Sequence, residues 1–64
     1  MEKRIIFWKS FLDSHPSYFE GWIELSRLEF KNGNQKGAQV AFLKAWKINP
    51  NSQEITNLKS ELKI

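Results

Sequence analysis

The 64-residue chain contains no cysteine, one histidine, two prolines and three glycines, and each scarcity closes off a class of structure. Without cysteine there is no disulfide framework and no thiolate nucleophile. The single histidine, His15, cannot build a metal site alone, so the usual staples of a very small domain are missing. No apolar run approaches the roughly 20 residues needed to cross a bilayer. The opening Lys3-Arg4-Ile5-Ile6-Phe7-Trp8 places charge ahead of apolar residues, but Lys9 ends the run short of the about 7–15 apolar residues of an export signal. A cytoplasmic setting without membrane contact is the expectation. The sequence also lacks a phosphate-cradling Gly-rich loop and a His–carboxylate pair at useful spacing, and His15 precedes Pro16 in an expected turn. No catalytic residue, cofactor or metal is expected, and the chain does not read as an enzyme.

Aromatic residues are abundant by contrast: three Trp, five Phe and one Tyr. Each buried ring removes about 150–250 Å² from water. That supplies a core to a chain whose length lets it bury only roughly 60% of its unfolded surface. Ten Lys and Arg stand against seven Asp and Glu, a net charge of +3 that falls short of a concentrated basic patch. Lys36, Lys44 and Lys47 lie near Trp46, but lysines on the outer face of a helix serve solubility, so nucleic acid is not an expected partner.

Pro16, the Asn32-Gly33-Asn34 run and Pro50 divide the chain into four segments of helical length. Ser17-Tyr18-Phe19-Glu20 fits a capping box for the second segment, and Asn51-Ser52-Gln53-Glu54 a similar one for the fourth. Asn34 suits the N-cap of the third. β-branched residues are few and strict alternation is absent, so the fold class is all-α: four antiparallel helices.

Helical periodicity then assigns faces. The second helix places Trp22, Leu25, Ser26 and Glu29 on one side, flanked by Phe19, Ile23 and Phe30 and by Leu28. Only Glu20, Glu24, Arg27 and Lys31 form a polar stripe, with a Glu24–Arg27 pair at helical spacing. The third helix gathers Ala38, Ala41, Phe42, Ala45 and Ile48, its alanines allowing close approach of a neighbour. The fourth has a thin stripe of Ile55, Leu58 and Leu62, as befits a terminal helix that meets water on one side.

Compared with itself at an offset of 34 residues, the chain aligns Trp8 with Phe42, Leu12 with Trp46, Pro16 with Pro50 and Glu20 with Glu54. Residues 19–52 carry Trp22, Leu25, a small Ser26, Gly33-Asn34, Ala38, Phe42, Ala45 and Pro50 at matching spacings, and so resemble one complete tetratricopeptide repeat. The resemblance implies a single domain over residues 1–64, a fragment of a right-handed superhelix. Residues 1–15 would form the second helix of a preceding repeat, 17–50 the full repeat and 51–64 a capping helix. Departures are Glu29 in place of the usual aromatic, Gly37 before the key alanine, Arg4 at the equivalent of Ala38 and Phe11 at that of Ala45. The Trp22, Leu25, Leu28, Glu29 run is also similar to the half-a-tetratricopeptide repeats of RNA-processing scaffolds, although Gln39 stands where those have Arg; an RNA-processing scaffold is the alternative function.

The resemblance implies a protein-interaction module that binds a protein or peptide. In that family the exposed side of each first helix lines a concave groove, which points to Glu20, Ile23, Glu24, Arg27, Phe30 and Lys31 as partner-binding residues. The family's Lys/Asn clamp for a C-terminal carboxylate is not matched, since two of these positions are acidic. Ile6, Val40 and Leu43 are apolar where the repeat is normally polar. Solenoid repeats stack, and about three are needed for stability. These three residues therefore suggest a self-association surface and a homo-oligomer.

Overall fold

The computed structural model describes residues 2–64, and they form four helices: α1 (Glu2–Ser14), α2 (Phe19–Lys31), α3 (Gln35–Ile48) and α4 (Gln53–Leu62). Met1, where the expected 1–15 segment begins, lies outside the described residues. No strand occurs among them, and the architecture is an all-α helical stack.

The loops sit where the backbone chemistry requires them. At the end of α2, Gly33 adopts a left-handed φ of 85°, which costs a residue without Cβ nothing. The Asn34 amide then donates to the Glu29 carbonyl and the Gly33 amide to the Phe30 carbonyl, a Schellman closure of the last turn. Asn34 next begins α3, its side-chain oxygen accepting from the Gly37 amide at 3.1 Å.

The other two starts differ from the sequence expectation. The N-cap of α2 is Tyr18 rather than Ser17, and no side chain caps it. Tertiary contacts hold this start instead: the Trp22 indole donates to the Pro16 carbonyl at 2.8 Å, and the Tyr18 ring packs on Trp8 and Phe11. The N-cap of α4 is Ser52, one residue after Asn51. Its hydroxyl accepts from the Glu54 and Ile55 amides and donates to the Glu54 carboxylate at 2.9 Å.

Helices pack mainly on their neighbours in sequence: α1 on α2, α2 on α3, and α3 on α4, with α2 also touching α4. α1 and α3 do not pack against each other. α2 therefore lies between two apolar clusters. One joins Ile23 to Ala38, Phe42, Ala45, Ile55, Leu58 and Leu62; the other joins Leu25 and Leu28 to Ile5, Leu12 and Ala41. Trp22 packs against both. The closest seam is between α2 and α3, where the fully buried Ser26 hydroxyl donates to the Ala38 carbonyl at 2.7 Å. A small side chain here lets two backbones approach, and the hydrogen bond offsets the burial of its hydroxyl. Ile48 departs from its expected burial. It is 40% exposed, because it closes α3 where the chain turns away into Asn49-Pro50.

Candidate interaction surface

The six residues expected on a concave face do not form one open surface. Ile23 is only 5% exposed and Phe30 is partly buried, both packed into the cluster shared with α3 and α4. The helical wheel gave their angle correctly, but α4 covers that side of α2. Ile23 is thereby removed from any groove.

The polar members are held across helices. Glu24 accepts from Arg4 of α1 at 3.2 Å, and Arg27 grips Glu61 of α4 in a two-pronged contact at 2.9 and 3.2 Å. The Glu24–Arg27 pair expected along α2 gives way to these two cross-helix pairs. Glu20 and Lys31 remain exposed at the two ends of α2. The stripe thus ties α1 and α4 to α2, with the exposed Glu20 and Lys31 at its ends.

The residues expected to drive self-association are exposed as expected: Ile6 at 65%, Val40 at 51% and Leu43 at 52%. The structure brings two of them together. α1 and α3 stand apart, and the space between them is a groove of about 680 Å³ with Ile6 on one wall, Val40 on the other and Trp22, Leu25 and Ala41 below. Lys9 of α1 and Lys44 of α3 mark its edges. Lys9 lies 3.4 Å from the buried Glu29 carboxylate, and Lys44 sits over the Trp22 ring at 5.5 Å, a cation–π contact. Leu43 lies on another side of α3, in a hollow shared with Trp46, Ile55 and Lys59.

Sequence reasoning missed the most aromatic part of the surface. Phe7 is 56% exposed on α1, ringed by Trp8 at 5.1 Å and Phe11 at 5.9 Å between centroids. Phe11 in turn stacks on His15 at 4.3 Å, whose Nδ1 is 3.1 Å from the Phe11 carbonyl oxygen. The signal was present in the spacing of Arg4, Phe7, Phe11 and Ser14, intervals of three, four and three residues that lie on one helical face. Both unusual residues flagged at the tetratricopeptide positions, Arg4 and Phe11, lie on it.

Among the described residues, no group of acidic, histidine or cysteine side chains is placed to hold a metal ion, and no helix is long and apolar enough to cross a membrane. No protein-family model matches the chain, and no curated protein or solved structure matches it.

Proposed function

We propose that the chain is a protein-interaction module of the tetratricopeptide kind, which holds protein or peptide surfaces and associates with copies of itself. The observation that carries this reading is the pairing of Ile6 and Val40 across the α1–α3 groove. Two exposed aliphatic side chains face an apolar floor of Trp22, Leu25 and Ala41, between rims of mixed charge that carry Lys9, Asp13 and Lys44. An amphipathic helix is the partner that such a groove accommodates, by laying its apolar stripe along the floor. Glu20 and Lys31 would add charge contacts at the two ends of α2. The proposal involves no catalysis and no cofactor, and it sets the protein in the cytoplasm.

Sedimentation equilibrium from micromolar to millimolar concentration tests the self-association. A rising average mass is expected, and a strict monomer with cooperative melting over that whole range refutes it.

A further inference from the structure

Charge is divided unevenly along the chain. Up to Asn34 there are five cationic and five anionic side chains. From Gln35 onward five lysines stand against two glutamates, so the whole net charge of +3 resides on α3, α4 and the segments that flank them. Both glutamates are occupied: Glu61 by Arg27, and Glu54 by the Ser52 hydroxyl at the start of α4. Lys36, Lys44, Lys47, Lys59 and Lys63 are all exposed, and among the described residues none of them enters an ion pair.

A recess of about 490 Å³ opens on this basic half, between α3 and α4. The buried Phe42 and Ile55 form its floor, and the half-exposed Leu43 and Trp46 stand along its α3 side. Pro50 closes the end where the two helices join. Lys59 lies four residues beyond Ile55 on α4, about 6 Å farther from that loop. It is the one charged side chain among the described residues that line the recess. On α3, Lys47 follows Leu43 by four residues and Lys36 precedes it by seven, so both share its side of the helix.

We infer that this recess binds an acidic segment of a different protein. One bulky apolar side chain of that segment seats between Leu43 and Trp46, and its carboxylates meet Lys47 and Lys59. This rests on the protein-interaction reading above and gives it a second surface, apart from the α1–α3 groove. Charge complementarity selects the occupant. A second copy has little acid to offer, because Glu24, Glu29 and Glu61 are committed to Arg4, Lys9 and Arg27 within their own chain. Nucleic acid is the poorer match, since all five cations are lysines and none offers the planar fork with which arginine reads phosphates and bases. A lipid surface is the poorer match too, because it presents no side chain to fill a recess.

Titration of isotope-labelled protein with short synthetic peptides, followed by NMR, tests the assignment. The probe consists of glutamates and serines around one central phenylalanine. One control replaces that phenylalanine by alanine, and the other replaces the glutamates by lysines. The probe is expected to shift the signals of Trp46, Thr56 and Lys59. The alanine control is expected to bind roughly tenfold more weakly or worse, the loss of one buried aromatic side chain, and the lysine control not at all. No response to the probe at millimolar concentration overturns the proposal. So does equal binding of either control, or a response centred on Ile6 and Val40.

Leu43→Glu and Lys59→Glu locate the site. Both residues are exposed, so the fold survives, as unchanged helical circular dichroism will verify. Each variant sets a like charge against the probe and is expected to bind it roughly tenfold more weakly or worse. Full affinity in both overturns the assignment. Binding to phosphatidylserine vesicles or to a single-stranded oligonucleotide, with no response to the probe, overturns it in favour of that partner.

Sedimentation keeps the self-association reading separate. Leu43→Glu is expected to match the wild type in average mass. A mass gain lost in Leu43→Glu makes the recess a contact between copies, which overturns the acidic partner and leaves self-association standing. A strict monomer that still binds the probe at the recess refutes self-association and supports this proposal.

Discussion

A side chain on Gly37 would meet the Asn34 amide first and then the carboxylate of Glu29, whose Oε2 lies 3.0 Å from where a Cβ on Gly37 would be built. The Asn34 amide, which donates to the other carboxylate oxygen of Glu29 at 3.2 Å, crowds the same point. Glu29 and Gly37 thus meet at one point, beside the Asn34 cap. Glu29 in place of an aromatic sends a buried, hydrogen-bonded carboxylate toward the first turn of α3, and Gly37 leaves room for it.

Gly37→Ala therefore tests the relationship through its sign. In an exposed helix interior, Gly to Ala stabilises by about 0.8–1 kcal/mol. Here the added methyl must displace the Asn34 cap or the Glu29 carboxylate, and loss of a cap alone costs about 1 kcal/mol. Urea unfolding is expected to show Gly37→Ala no more stable than wild type. A gain of the full propensity difference would show that the contact is slack.

The α2–α3 seam tolerates loss better than gain. Ser26→Ala removes one buried hydrogen bond and is expected to cost about 1 kcal/mol. Ala38→Leu forces new volume into a fully buried position and is expected to cost at least about 1–3 kcal/mol. The midpoints of chemical unfolding, compared at equal m-value, should rank the two in that order.

Two leucines of like chemistry should behave oppositely. Leu58 of α4 is fully buried against α2 and α3, and Leu58→Ala is expected to cost about 2–5 kcal/mol, a large share of the stability of so small a domain. Leu43 is half exposed, and Leu43→Ala should stay within about 0.5 kcal/mol. Thermal melts followed by circular dichroism would reveal a Leu43 effect as large as that of Leu58, which would mean that Leu43 is covered in solution.

The Arg27–Glu61 contact is well formed but partly exposed on both sides. A double-mutant cycle with Arg27→Ala and Glu61→Ala is expected to give a coupling of about 0.2–1 kcal/mol that shrinks as salt is added. A coupling insensitive to salt would point to a drier environment than the structure shows.

The legible parts of this fold are those governed by local backbone chemistry. Pro16, Gly33 and Pro50 mark all three loops because their constraints act within a few residues. The stripe of Ile55, Leu58 and Leu62 is buried as its spacing predicts. What the sequence hid depends on which element covers which face. Ile23 sits at the border of the polar stripe by angle, yet α4 crosses that border and buries it. Ser17 has the better capping side chain, yet the packing of Tyr18 against Trp8 and Phe11 moves the helix start. Glu24 and Arg27 have suitable spacing to pair with each other, but α1 and α4 each offer a partner from outside the helix. Phe7 was overlooked because the offset of 34 sets it opposite Ala41, a buried position in α3, and only the openness of the space beyond α1 reveals it.

Trp22 belongs to both apolar clusters, and its indole also fastens the Pro16 loop. A solenoid of separate repeats can fray one unit at a time, each end opening with its own free energy. Here the same ring lies in the path of every partial opening, whether α1 lifts or α3 and α4 separate. Amide exchange in α1 and in α4 should accordingly slow to a common limit set by whole-chain unfolding. The fluorescence of Trp22 would report that single event, leaving the exposed Trp46 to report on the surface.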